Sequence, residues 1–179
     1  MKSIQSKLPL LGFAAYSGTG KTTLLSAVIP ILKQRGLRIG MIKHAHHKFD
    51  IDHPGKDSYQ LRKAGTDQML IASSKRWALM VETENNTRDP SLQTLIDHLD
   101  AGSLDIILVE GFKHESFPKI ELHREELNHE LIAASDPNIV ALATNTTVEF
   151  DSDIPQLDID NPKQVADFII NFFKNSKNN

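Results

Sequence analysis

The stretch GFAAYSGTGKTTLL, Gly12–Leu25, constrains the chain more than any other part of it. An unbroken apolar run, Leu8–Ala15, leads into it, and Leu24, Leu25, Val28, Ile31 and Leu32 recur behind it at helical spacing. The pattern predicts a buried parallel strand, a tight turn and an amphipathic helix over Lys21–Arg35. Gly36 stands where a helix C-terminal cap belongs, and Pro30 is a site for a kink. Between strand and helix, Ala15–Thr22 follows the Walker A spacing G-x-x-x-x-G-K-[ST], with alanine at the first glycine. Gly18 and Gly20 allow backbone N–H groups to turn inward onto phosphate oxygens, and the helix start adds positive potential there. Ser17, Gly18, Thr19, Gly20, Lys21, Thr22 and Thr23 are therefore the candidate nucleotide contacts. Lys21 is expected to reach the β- and γ-phosphates, and the Thr22 hydroxyl to ligate Mg²⁺.

A phosphate loop needs an acidic partner at the end of a buried strand. Ile106–Val109 followed by Glu110 supplies one, with glutamate rather than aspartate as the expected Mg²⁺ holder. Gly111, next to it, would let the backbone approach a γ-phosphate. Position 16, where one branch of phosphate-loop proteins carries a second lysine, is Tyr16. No arginine finger or water-orienting glutamine is apparent, so slow turnover is expected. No [NT]-K-x-D guanine-reading motif occurs.

Further strands are predicted at Arg38–Lys43, Lys119–His123 and Ile139–Ala143, with helices from about Ser58 to Gly65, over Leu92–Leu99 after an N-cap at Ser91, and from Asn161-Pro162 to about Lys174. Gln68–Ser73 and Trp77–Glu82 read as two strands joined through Ser74–Arg76. The fold class is α/β: a mostly parallel twisted sheet with helices on both faces, of P-loop NTPase type, with some extra antiparallel strands. One nucleotide-binding domain spans 1–179, with 69–87 and 113–135 as insertions or dimer contacts. Trp77 is expected to bury its ring in the core or at an interface.

Charge and cysteine content narrow the function. The net charge is −3, which argues against a general nucleic-acid binder while leaving room for a phosphorylated small ligand. Cysteine is absent, so disulfides and thiolate metal sites are impossible. The amino-terminal apolar run is too short to span a membrane, and the chain is expected in the cytoplasm.

The segment KHAHHKFDIDHPGKDS, beginning at Lys43, admits three readings. His44 and His46, with His47, His53 and loop aspartates, could hold a transition metal, although four ligands are hard to assemble. It could be a polar loop without chemistry. Or it senses the ligand beside the phosphates, with His44 contacting the nucleotide and Asp52 reaching Mg²⁺ or its water shell. Asp57-Ser58 would cap the following helix.

Together, LPLLGFAAYSGTGKTTLL, GMIKHAHHKFDIDHPGKDS, LRKAG, RWALM, LDIILVEGFKHE and LDIDNP resemble the molybdopterin-guanine dinucleotide biosynthesis adapter family, the MobB type, over nearly the whole chain. The resemblance implies a homodimeric GTP-binding adapter with weak GTPase activity. It implies a partner as well, the guanylyltransferase that attaches GMP to molybdopterin in molybdenum cofactor synthesis. It places nucleotide contacts on Ser17–Thr22, the strand-end acid on Glu110, and the post-strand segment on His44, His46, His47, Asp52, Gly55 and Asp57. Ala143-Thr144-Asn145 falls where related proteins contact the base. Molybdopterin itself could meet the histidine loop and Lys113-His114. Two other readings stand beside this one. A P-loop kinase or ligase acting on a small metabolite should show substrate-stimulated hydrolysis, and a nickel or zinc metallochaperone GTPase should bind those ions.

Overall fold

The computed structural model describes residues 4–45, 49–83, 89–150 and 153–176; His46 and His47 fall outside the described residues. In chain order the elements begin β1 (Leu10–Ala14), α1 (Lys21–Gln34), β2 (Ile39–Lys43), α2 (Asp57–Lys63), β3 (Gln68–Ala72) and β4 (Trp77–Val81). They continue α3 (Leu92–Asp97), β5 (Ile106–Glu110), β6 (Lys119–His123), β7 (Ile139–Thr144), β8 (Gln156–Asp158) and α4 (Pro162–Ser176). The chain forms two compact units, Met1–His44 with Ser91–Asn179, and Ala45–Pro90.

The larger unit is built on a six-stranded sheet in the order β2-β5-β1-β6-β7-β8, parallel throughout. Side chains alternate between its faces. Leu11 and Phe13 of β1, with Ile106, Leu108, Ile120 and Leu122, pack under Leu24, Leu25, Val28 and Leu32 of α1 and Val165, Ala166 and Ile169 of α4. Leu10, Ile42, Ile107 and Val109 face the other way, onto Leu92 and Ile96 of α3 and onto Phe117. Covering on both faces explains why β1 and β5 read as unbroken apolar runs. Each such side chain removed from water contributes about 1.5–3 kcal/mol.

Strand β1 is interior, and the strand order reverses around it. The chain reaches β2 and then β5 on one side of β1, then crosses to β6 on the other. Ligands of parallel sheets gather at the carboxyl ends of strands at such a switch point.

Several boundaries shift by one or two residues from those expected, and some features differ in kind. Residues 113–135, set aside as an insertion or subunit contact, contain β6, an interior strand between β1 and β7. The reason is polar burial. Lys119 is fully buried, its Nζ bonded to the Glu115 carbonyl at 2.6 Å and to Asp136 at 2.9 Å. Glu121 is buried too, accepting from the Ile132 and Ala133 N–H groups at 2.8 and 2.7 Å. Gly12 makes room for this arrangement, since a Cβ there would fall 2.6 Å from the Phe117 ring and 2.7 Å from Lys119 Cγ. Strand β8 was not anticipated; at three residues it is too short to show a period. Helix α1 runs through Pro30 without a break, and Ser91 caps α3 as expected, accepting from Thr94 N–H at 3.1 Å. Lys56, not Asp57, holds the cap position of α2, which has no side-chain cap.

The smaller unit contains α2 and an antiparallel hairpin, β3 with β4, closed by a Ser73 N–H to Arg76 carbonyl bond of 2.8 Å. Arg62 of α2 is buried and bonds to Asp52 at 2.6 Å, with Asp50 and Glu82 each at 2.9 Å. One hairpin face carries the cross-strand pairs Leu70↔Leu79 and Ala72↔Trp77, together with Val81. Trp77 is 66% exposed and Leu70 62%, so the tryptophan is not a core residue of the chain. Among the described residues, no helix is long and apolar enough to cross a membrane.

Candidate nucleotide site

Chain direction changes at the end of β1 through residues with a left-handed backbone. Gly18 and Gly20 have φ of 83° and 95°, and open space surrounds the position a Cβ would take at either. Their requirement is conformational, because an L side chain resists this φ. Gly20 is also the N-cap of α1, and no side chain caps the helix. The first-turn N–H groups of a fourteen-residue helix thus stay available to an anion. Thr19 is buried and ties the loop together, its hydroxyl donating to the Tyr16 carbonyl at 2.9 Å.

Lys21 bends back over the same loop, its Nζ donating to the carbonyls of Ala15 and Tyr16 at 3.1 and 3.2 Å. Burial pulls its pKa below the ordinary value, Glu110 opposes that, and Lys43 and Lys113 reinforce it. Two further lysine ammoniums, Lys43 and Lys113, therefore act on Lys21 with one carboxylate, Glu110, set against them. That is an electrostatic imbalance which polyphosphate oxygens would relieve.

Glu110 ends β5 opposite Lys43 of β2, in register. The Lys43 ammonium bonds both carboxylate oxygens, at 3.0 and 3.1 Å. The Thr22 hydroxyl lies 3.5 Å from Glu110 Oε1, at the margin of hydrogen bonding. A hydroxyl and a carboxylate side by side at the start of α1 are a hard-oxygen pair of the kind Mg²⁺ takes, the remaining positions going to phosphate and water. The donor set fits magnesium and a nucleoside triphosphate.

Gly111 follows with φ 102°, and a Cβ there would fall 2.6 Å from the Cβ of His44. Close approach of β2 and β5 at their ends requires glycine here. His44 bonds through its N–H to the Glu110 carbonyl at 2.9 Å, and its ring lies 4.8 Å from that of Phe112. Tyr16, at the position where a second lysine is absent, stacks on His129 at 4.3 Å, with Lys113 Nζ 5.6 Å from its ring centre.

The structure thus brings together Ser17–Thr23, His44, Glu110 and Gly111 in one unit. Asp52 lies in the other unit, buried against Arg62, which holds its carboxyl below the usual range. Among the described residues no group of three or more His, Asp or Glu side chains could hold a metal ion. Sequence reasoning missed Lys43 and Arg124. Lys43 is readable only once β2 and β5 are known to be neighbours. Arg124 follows β6, donates from Nε to the Thr19 carbonyl at 3.4 Å, and pairs with Asp160 at 2.6 Å.

A parallel sheet with a phosphate loop at its switch point and helices on both faces defines a P-loop NTPase-type protein. Residues 10–145 match the family model described as "Molybdopterin guanine dinucleotide synthesis protein B", MobB. The chain is 48% identical to the molybdopterin-guanine dinucleotide biosynthesis adapter protein of Escherichia coli over 95% of this chain and 96% of that protein. It is 44% identical to the adapter protein of the same name from Haemophilus influenzae, over 94% and 92%. The chain belongs to the MobB family. Solved MobB structures share its fold. That of Bacillus subtilis aligns with a TM-score of 0.71 at 24% identity over 92% of this chain and 97% of that one. The Bacillus stearothermophilus homologue aligns with a TM-score of 0.69 at 21% identity, over 93% and 98%.

Proposed function

We propose that the chain is a GTP-binding adapter in the synthesis of molybdopterin guanine dinucleotide, working in the cytoplasm beside the guanylyltransferase that joins GMP to molybdopterin. The observation that carries this is the cradle: left-handed Gly18 and Gly20, an uncapped α1 and Lys21 above them, with Thr22 and Glu110 placed as a cation pair. Relatives sharing nearly half the sequence over nearly the full length are named as adapters in this synthesis. GTP rests on the cradle, with Ser17–Thr23, His44 and Gly111 around the phosphates. Mg²⁺ rests on Thr22 and Glu110. Asp52 is assigned to the fold of its own unit, because Arg62 holds it at 2.6 Å.

Hydrolysis is weak in this reading. Among the described residues, no cation is placed to neutralise developing charge on the γ-phosphate except the lysines assigned here to the ground state, and uniform binding does not accelerate chemistry.

The homodimer is assigned to the hairpin. Leu70, Trp77, Leu79 and Val81 place an apolar face in water on a two-stranded sheet, which is marginal alone and is stabilised by covering that face. A second copy is the occupant the family resemblance supplies.

The test is titration of purified guanylyltransferase with this protein in the presence of GTP and Mg²⁺. Complex formation with increased GMP attachment is expected. Absence of a complex at micromolar concentrations of both proteins contradicts the adapter role. Turnover of GTP by the pure protein at rates typical of metabolic enzymes contradicts the weak-hydrolysis assignment.

A further inference from the structure

The GTP reading places Ala143-Thr144-Asn145 near the base only by resemblance and names no group that selects guanine, since the usual base-reading motif is missing. The carboxyl ends of β6, β7 and β8 supply a candidate, and it is tied to the phosphate loop. Arg124, directly after β6, donates from Nε to the Thr19 carbonyl at 3.4 Å. The same guanidinium meets Asp160, with Nη2 to Oδ1 at 2.6 Å and Nη1 to Oδ2 at 3.5 Å. Asp160 stands just past β8, where the Ile159 N–H to Thr144 carbonyl bond of 3.1 Å fixes its loop to the end of β7. Asn145 completes the rim, accepting from the Glu125 N–H at 3.3 Å and donating to Glu126 at 2.8 Å. Three strand ends therefore meet one hydrogen bond away from the phosphate cradle. The Asp160 side chain is 61% exposed there.

The pairing itself indicates what the carboxylate is suited to hold. A guanidinium presents two adjacent N–H donors to the two oxygens of a carboxylate, which only accepts. The Watson–Crick edge of guanine offers the same pair, the ring N1–H and the N2 amine. Adenine offers a ring acceptor at that position, which a carboxylate repels. We propose that Asp160 reads the N1–H and N2 amine of guanine, and that Arg124 holds this place with an equivalent donor pair until the base arrives. Arg124 is the positioning residue: its bond to Thr19 links base reading to the loop that grips the phosphates. This assignment rests on the GTP-binding reading and adds the residue that selects the base.

The experiment is competition of GTP, ITP, XTP and ATP against a fluorescent GTP analogue, with Mg²⁺, on full-length wild type, Asp160→Asn and Lys21→Ala. Wild type is expected to bind GTP roughly tenfold or more tighter than ITP, which lacks the N2 amine, and ATP. Asp160→Asn should lose GTP affinity by a similar factor and gain XTP, because a carboxamide donates to the xanthine O2 while still accepting from N1–H. Lys21→Ala should lose all four alike. Asp160→Asn that weakens all triphosphates equally, or none, while Lys21→Ala abolishes binding, overturns the base assignment and leaves the cradle standing. No binding of any triphosphate by wild type overturns both.

Discussion

Lys43 and Glu110 face each other in register across β2 and β5, and the lysine ammonium lies 3.0 and 3.1 Å from the two oxygens of the carboxylate. The carboxylate proposed to serve the metal is thus paired with a lysine. In the proposed site, Mg²⁺ would displace Lys43 or share Glu110 with it, and a displaced ammonium would be free for a phosphate oxygen. Glu110→Gln keeps the shape and removes the charge. It should raise the Mg²⁺ concentration needed for half-maximal GTP binding by roughly 10- to 100-fold. Metal-free nucleotide affinity should hardly change. A Mg²⁺ titration of GTP binding reads both, and an unchanged midpoint would remove Glu110 from the metal site.

Gly111 cannot be replaced without cost. Its φ of 102° disfavours any side chain, and a Cβ would fall 2.6 Å from the Cβ of His44, which has no flexible end to move aside. Gly111→Ala should destabilise the protein by about 1–3 kcal/mol, measured as a lower denaturant midpoint. The same substitution should weaken GTP binding, since the end of β5 carries Glu110.

Lys119 has no exposed side-chain surface and is neutralised by Asp136 at 2.9 Å. Asp136→Ala leaves that ammonium buried without its counter-charge and should cost about 3–5 kcal/mol. The double replacement, with Lys119→Met added, should cost less than the single one. Equal losses would mean that Asp136 matters for packing alone.

Acid should loosen the same strand. Burial by itself would raise the Asp136 carboxyl, but Lys119 and the Asn138 donors outweigh it and bring the carboxyl below its ordinary value. A carboxyl depressed in the folded state adds stability above its unfolded pKa, about 3.9, and that contribution is lost as pH falls through the folded value. Stability measured across that range should fall less steeply for Asp136→Asn than for wild type.

The hairpin prediction is about association. Trp77→Lys puts a charge on the face formed by Leu70, Leu79 and Val81, and should weaken the proposed dimer by at least about 2 kcal/mol. Sedimentation equilibrium is expected to show a dimeric wild type and a monomeric variant. A wild-type protein that sediments as a monomer, or a variant that stays dimeric, contradicts the assignment.

Much of the larger unit was legible because it is covered on both faces. Leu10–Ala14 and Ile106–Val109 needed only unbroken apolarity to be recognised, and the phosphate loop needed only spacing. What escaped depends on contacts between segments far apart in sequence. Lys119 and Glu121 look like solvent-facing strand residues until Asp136 and the Ile132 and Ala133 N–H groups are seen to satisfy them. Lys43 appears as an ordinary strand-end lysine until β5 is placed beside it. The pairing of Asp52 with Arg62, ten residues away on a helix face, is likewise invisible without the folded chain. An aromatic flanked by apolar residues reads as core or interface, and the 66% exposure of Trp77 in the chain withdraws the first of these.

The central claim is that the Ala15–Thr22 loop grips a nucleoside triphosphate through Lys21 and a magnesium ion. Calorimetric titration of GTP into wild type and Lys21→Ala, each with Mg²⁺ and with chelator, tests it most directly. The account predicts saturable wild-type binding that weakens in chelator, and a loss of at least about tenfold in the variant, as expected for a charge-assisted contact of 1.5–3 kcal/mol. Equal GTP affinity in wild type and Lys21→Ala, or no binding by either, would contradict it.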